Sequence, residues 1–554
     1  MDGPSGAVSG QFIDLVTNEQ GLLLLASRCC VSQLMLARYR GTNRGSGILP
    51  LLSRRRKKRD EERERWRVST VAAKNAARWK ATARFSPLTA AMRFDILSDK
   101  RWYGIPPYVK EEKMRFYGRQ AELAELKKIR TLSATHARFT IVTGRRRIGK
   151  TELLDHAFNT RGSRYLYFLV SNRAERDLCG ILQGETEKVL GQPILGRAER
   201  FSQLLETVML SAQREPLTLV IDEFQEFDNI NPAIFGEIQS VWDRLHKQSR
   251  INLIVCGSVN RLMNKIFLDD SQPLYGRNTG SLHLDPFPVK LIKEIFSEHC
   301  PNYSKRDLLT LWTLTGGIAR YIELFMDAGA FTHRDMLRTV FSLSSSYIHE
   351  GRAILGEEFG RDHGLYFSIL TAISSGATSY AEIRNEVGTE IGGQLTRLER
   401  SYSLISQMRP FDARANGKNC SYQLDDDFFR FWFRFVFKYQ HLTEQKMFDE
   451  LIGIVERDFD SFAGFSLERY FRRKFLEERR YTRIGGWWDR RGEQEIDLVC
   501  ENEISSALDF YEVKINPARF RRQDLERKVG AFFEKNPEKR ERCRKLAGLS
   551  MEDM

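Results

Sequence analysis

One eight-residue stretch has the types and spacing needed to hold a triphosphate: Gly144-Arg145-Arg146-Arg147-Ile148-Gly149-Lys150-Thr151 fits G-x-x-x-x-G-K-T. Phosphate oxygens need many short N–H contacts. Glycines let the backbone curl around them, and the helix N-terminus that follows adds positive potential. In this pattern Lys150 reaches the β- and γ-phosphates and the Thr151 hydroxyl ligates Mg²⁺, with the cradle extending to Glu152. Its partner is Leu217-Thr218-Leu219-Val220-Ile221-Asp222-Glu223, an apolar, β-branched run ending in two carboxylates. Such a run puts the acids at a strand's C-terminal edge, where ligands bind in open parallel sheets. Asp222 is expected to hold Mg²⁺ through water and Glu223 to polarise the attacking water. Another strand ends in Cys256-Gly257-Ser258-Val259-Asn260. A polar side chain there either contacts the γ-phosphate or the attacking water, or only forms the turn. Arg277, in Pro273-Leu274-Tyr275-Gly276-Arg277, is either a stabiliser of transferring phosphoryl charge, its own subunit's or a neighbour's, or a surface arginine.

A second constellation lies near the C-terminus. Glu495-Ile496-Asp497-Leu498-Val499 alternates as a strand does, and so does Phe510-Tyr511-Glu512-Val513-Lys514. In a hairpin Asp497 and Glu512 lie side by side, with Lys514 on the face of Glu512. Two carboxylates with a lysine two residues on make the hard-oxygen Mg²⁺ site of a phosphodiesterase. Lys514 then orients the attacking water or stabilises phosphorane-like charge, and Glu468 from the preceding helix completes the cage. A solvated hairpin with Glu512 and Lys514 salt-paired is the plainer reading.

These groups need elements to carry them. From Phe116, a helix-like Glu122–Ile129 precedes strand-like runs Phe139–Val142, Tyr165–Val170, Leu217–Ile221 and Ile251–Cys256, separated by helical stretches. Strands alternating with helices argue for a parallel sheet covered on both faces. The expected units are residues 114–285 for this core, 286–355 for a helical lid, 356–430 for a winged helix and 431–554 for a last α/β unit running helix, strands, helix. In the third unit Tyr380–Val387 and Gly393–Arg400 read as two helices joined by a turn. The second shows Arg397 and Arg400 and either enters a major groove or packs as a spacer. Ser403–Ser406 and Tyr422–Leu424 read as wing strands, with a hairpin around Asn416-Gly417. Asp425-Asp426-Asp427 is expected to repel phosphate, and the aromatic run Phe428–Phe435 to be a buried junction helix. Residues 1–113 read as a solvated, poorly ordered extension. Alternatively, their basic run Arg54–Arg59 is a nucleic-acid-binding arm, or Met114 is the natural start.

With 554 residues, of which 42% are apolar and 29% charged, the chain has the length and composition of several globular cores. Lys and Arg total 87 against 73 Asp and Glu, a formal net charge of +14 that favours an anionic partner. The eight cysteines have no metal-ligand spacing and read as reduced thiols of a cytoplasmic protein. No run of eighteen apolar residues marks a membrane span, and no signal-peptide pattern opens the chain.

Over residues 114–554 the chain resembles the archaeal-type ATPases, a branch of the P-loop AAA+/STAND group. The resemblance rests on Phe116-Tyr117-Gly118-Arg119-Gln120-Ala121-Glu122-Leu123, the phosphate loop, Ile221-Asp222-Glu223, Pro273–Arg277 and Thr315-Gly316-Gly317-Ile318-Ala319-Arg320-Tyr321. Family members usually read Gly-Gly-x-Pro at the last motif, and Ala319 stands here in place of that proline. The resemblance implies ATP as the nucleotide; the guanine-reading Asn-Lys-x-Asp is absent. The C-terminal unit looks like the PD-(D/E)xK nuclease fold, which the family carries as a domain of unknown function, with Glu468, Asp497, Glu512 and Lys514 at its signature positions. The fold so implied is α/β: a P-loop parallel-sheet core with helical lid, winged helix and PD-(D/E)xK-like domain. Two functions remain open. One is an ATP- and Mg²⁺-dependent enzyme acting on DNA, as a single chain or a homo-oligomer. The other is a nucleotide-driven switch or scaffold whose C-terminal domain binds without cutting.

Overall fold

The computed structural model describes residues 115–554 except 259, 360–362 and 415–418. The N-terminal extension with Arg54–Arg59, the Met114 start, the Asn416-Gly417 turn and the Asn260 side chain lie outside the described residues.

The apolar runs become β1 (Arg138–Gly144), β2 (Tyr165–Leu169), β3 (Leu217–Asp222) and β4 (Ile251–Gly257). With β5 (Gly280–Leu284) they form a five-stranded sheet in the order β2-β3-β4-β1-β5, every neighbour parallel. Every residue of β3 and β4 is buried, as expected of central strands covered on both faces. Strand β5 is invisible to a search for apolar runs: it is a sheet edge, and only Leu284 in Gly-Ser-Leu-His-Leu is buried. Register brings Val142 of β1 opposite Cys256 of β4, and Val255 opposite Ile221 of β3. The C-terminal ends of β1, β3 and β4 therefore meet at one edge of the sheet.

Side chains on the sheet alternate between two cores. Phe139, Ile141, Leu219, Ile221, Leu253 and Val255 face the helices Phe201–Arg214 and Ala233–Leu245. Val142, Val220, Ile254 and Cys256 face the other way. Their core continues through the helices Val289–His299, Lys305–Thr315 and Ala319–Asp327 to the long helix Phe448–Glu477. The helix Ser346–Phe359 crosses the boundary expected at 355/356.

Beyond it come the helices His363–Ser375, Tyr380–Val387 and Gly392–Arg400, then β6 (Ile405–Met408) and β7 (Ser421–Leu424), paired antiparallel from Ile405↔Leu424 to Met408↔Ser421. The strand expected from Ser403 begins at Ile405, because Ser403 has φ 52°. Phe428, Phe429, Phe431, Trp432, Phe433 and Phe435 are all buried, in a short helix that widens into a π-helix over Trp432–Phe437.

The three acids before this junction do not present the phosphate-repelling surface expected of them. Asp426 and Asp427 are buried. Asp426 pairs with Arg145 and accepts from the Phe429 N–H at 3.3 Å. Asp427 lies 3.5 Å from the Arg469 guanidinium, which also donates to the Asp425 carbonyl. Burial forces each charge to find an internal partner, so little of the field reaches solvent.

The last unit is β8 (Arg483–Trp488), β9 (Glu495–Asn502), β10 (Ala507–Lys514) and β11 (Cys543–Ser550), in the order β11-β10-β9-β8, with the helix Arg522–Lys535 before β11. Strand β10 is antiparallel to β9 and parallel to β11, and β11 with a short 3-10 turn, Met551–Asp553, follows the helix on which the unit was expected to end. Among the described residues, no helix is long and apolar enough to cross a membrane.

Candidate functional site

The phosphate loop leaves β1 and enters the helix Lys150–Phe158, here α1. Gly149 caps α1 with φ 95°, a backbone conformation that a side chain would strain. Lys150 is 7% exposed, and its ammonium donates to the Gly144 carbonyl at 2.9 Å and the Arg145 carbonyl at 3.2 Å. Burial pulls its pKa below the usual lysine value, while Glu223, Cys256 and Asp222 oppose that shift.

Strand register places Asp222 against this loop, and four donors fix its carboxylate. Thr151 Oγ1 and the Tyr167 hydroxyl each donate to Oδ2 at 2.7 Å. The Glu223 N–H reaches Oδ1 at 2.9 Å and Cys256 Sγ reaches it at 3.1 Å. Glu223 turns away from the strand at φ 53°, and its carboxylate accepts from Ser258 Oγ at 2.9 Å and Gln225 Nε2 at 2.5 Å. A cavity of about 710 Å³ opens over these groups, lined by Arg146 to Glu152 and by Asp222, Glu223 and Ser258. This lies within the size range of small-molecule sites. Thr151 and Asp222 supply a hydroxyl and a carboxylate already joined by a hydrogen bond, a hard-oxygen pair that suits Mg²⁺.

Two expected residues point elsewhere. The Arg145 side chain leaves the cavity for Asp426. Arg277 lies outside the cavity lining, 3.2 Å from Asp243, with its guanidinium also donating to the Tyr275 carbonyl. Arg147 does line the cavity, but Glu350 clamps it with contacts of 2.7 and 3.2 Å. Residues given no role from sequence also line it, among them Arg119, Tyr167 and Arg320. Arg119 donates to the Ile148 carbonyl at 3.1 Å. Arg320 opens the helix Ala319–Asp327, here α2, where its N–H reaches the Arg147 carbonyl at 3.2 Å and its guanidinium holds Glu323 at 2.6 Å. Both arginines lie inside recognisable motifs. Tyr167 carried no signal, because a tyrosine in an apolar strand reads as core.

The C-terminal acids are brought together by register: Tyr511 pairs with Leu498, so Glu512 comes beside Asp497. Asp497 Oδ2 accepts from the Val513 N–H at 2.6 Å. Lys514 Nζ lies 2.8 Å from Glu512 and 3.7 Å from Asp497. Burial, with repulsion from Glu512, raises the Asp497 pKa to about 6. Burial also holds Glu468 well above the usual carboxylate value, with repulsion from Asp497 and Glu495 adding to the shift. The expected metal cage is not assembled. Among the described residues no three acidic, His or Cys side chains converge closely enough to hold a metal. Lys528, which the sequence reading missed, instead donates to both Glu512 oxygens at 2.7 and 2.8 Å. As arranged, both Glu512 oxygens are taken by ammonium groups.

In the middle unit Gly392–Arg400, here α3, buries Leu395 and Leu398 and leaves Arg397 and Arg400 exposed.

Residues 116–325 match the model of an ATPase domain predominantly from Archaea, and residues 432–527 match a domain of archaeal and bacterial proteins of unknown function. An uncharacterized protein of Methanocaldococcus jannaschii is 27% identical over 414 residues, 72% of this chain and 87% of its own. The Walker-type ATPase of Pyrococcus abyssi aligns with 57% of this chain and 96% of its own, at 18% identity and a TM-score of 0.44. The Aeropyrum pernix ORC2 protein, solved as ADPNP and ADP complexes, aligns with 61% of this chain and 96% of its own, at 13% identity and a TM-score of 0.39.

Proposed function

We propose that this chain, which carries the archaeal-type ATPase domain over residues 116–325, binds ATP with Mg²⁺ and hydrolyses it to drive an action on DNA. The observation that carries the reading is the pinned Asp222, with the Thr151 hydroxyl on one oxygen and Glu223 held beside it by Ser258. Lys150 leaves its loop carbonyls for phosphate oxygens, a stronger, charged acceptor. Glu223, oriented by Ser258 and Gln225, takes the proton of the attacking water. Thr151 and Asp222 hold Mg²⁺, which when bound supplies positive charge to the phosphate oxygens. Arg147 and Arg320 stand on the cavity wall paired with Glu350 and Glu323, and donate to phosphate oxygens only by exchanging those carboxylates.

Action on DNA is supported by the net charge of +14 and by the exposed Arg397 and Arg400 of α3, read as the recognition helix of a winged helix. A second reading, a nucleotide-driven switch whose PD-(D/E)xK-like domain binds without cutting, is favoured by one observation: Glu512 is capped by two lysines.

Phosphate release, measured with and without duplex DNA at two salt concentrations, tests the proposal. The expected result is turnover that DNA stimulates less at high salt, because phosphate contacts release counterions. Glu223→Gln should retain ATP and lose turnover by a factor of roughly 10²–10⁴. Absence of ATP uptake in the presence of Mg²⁺ would overturn the ATPase reading, and salt-independent turnover with no DNA effect would leave the switch.

A further inference from the structure

We propose that Lys528 is a built-in counter-cation: its ammonium sits where a divalent ion would bind at Glu512, and displacing it opens the C-terminal acids to a hard metal. The inference goes beyond the ATPase reading and stands or falls without it.

The helix Arg522–Lys535 buries Leu525, Val529, Phe532 and Phe533, so Lys528 lies at the margin of its buried face. Its neighbour Arg527 donates to Gln494 at 2.9 Å, which ties the first turns of this helix to the loop preceding β9. From that anchor the Lys528 side chain, 17% exposed, reaches the 10%-exposed Glu512 and spans both carboxylate oxygens. A divalent ion would need the same two oxygens.

Charge points the same way. Asp497 and Glu512 bring two formal negative charges, and Lys514 and Lys528 bring two positive ones within 2.7 to 3.7 Å. A carboxylate pair with a single lysine keeps a net negative charge that draws a cation in. The second lysine offsets that charge at Glu512, with Glu468 and Glu495 standing further along the same face, so an entering Mg²⁺ or Mn²⁺ must displace an ammonium already bound to both Glu512 oxygens.

Mn²⁺ titration of the full-length, nucleotide-free chain by calorimetry tests this. Lys528→Met keeps the apolar stem and removes the charge; it should bind one Mn²⁺ at least about tenfold more tightly than the parent chain. Lys528→Gln, able to hydrogen-bond but uncharged, should show the same gain, which guards against a packing artefact of the first variant. Adding Glu512→Gln to Lys528→Met should abolish the new site. Near-ultraviolet circular dichroism of each variant establishes that the fold persists. Equal affinity in the parent and in both folded lysine variants would overturn the proposal, as would tight uptake that survives Glu512→Gln.

Discussion

Tyr167→Phe removes one oxygen atom and so tests how Asp222 is held. The phenol donates to Asp222 Oδ2 at 2.7 Å, and the same oxygen accepts from Thr151 at 2.7 Å. A hydrogen bond to a charged group contributes about 1.5–3 kcal/mol. Tyr167 is half-buried, which argues for the lower end, about 1.5–2 kcal/mol. At about 1.4 kcal/mol per factor of ten, this is roughly a 10- to 30-fold change. The change should appear where Asp222 acts, in the Mg²⁺-dependent part of ATP affinity. Titration with a fluorescent ATP analogue, once with excess Mg²⁺ and once with EDTA, separates the two contributions. Affinity should fall only in the Mg²⁺ series. An equal loss in EDTA would mean that the ring packs against the nucleotide or the loop, and an unchanged Mg²⁺ series would mean that Thr151 alone orients the carboxylate. Either result refutes the positioning role.

Two further perturbations probe the scaffold. His333 meets Thr310 Oγ1 at 2.8 Å through Nδ1, and burial, aided by Arg306, lowers its pKa below the usual histidine value. As pH falls, the unfolded chain takes up this proton first. The stability contribution is therefore whole above about pH 6.5 and drains away below it. Thermal melts between about pH 7 and about pH 5 should slope less in His333→Phe than in the parent chain, and identical slopes would sink the assignment. Gly317→Ala tests the turn that delivers α2 and Arg320. Gly317 has φ 83°, and an added Cβ would stand 2.8 Å from the Phe287 carbonyl oxygen. A loss of about 1–3 kcal/mol in urea unfolding, with weakened nucleotide binding, is expected. Parent-like stability would show that the turn relaxes freely.

Local chemistry made part of this protein legible. The phosphate loop and the Asp222-Glu223 strand end could be read because backbone curvature, helix start and strand end are written in contiguous residues. Alternation likewise placed Glu512 and Lys514 on one face, and the aromatic content of Phe428–Phe435 marked a buried junction. Other features have no local signal, because partners far apart in the chain decide them. Strand β5 exists because β1 offers it an edge, and Tyr167 joins the site only through the pairing of β2 with β3. Arg145 looks like part of a phosphate cradle until Asp426, 281 residues on, claims its side chain. Asp426 and Asp427 look like part of a solvent-facing acidic run until packing encloses them and Arg145 and Arg469 balance them. Lys528 is one of many lysines in sequence, and only the docking of its helix turns it into the cation that closes Glu512. Sequence thus determined which groups could act on phosphate. Tertiary structure decided which were turned toward it and which were neutralised, because burial obliges a charge to find its partner across the fold rather than along the chain.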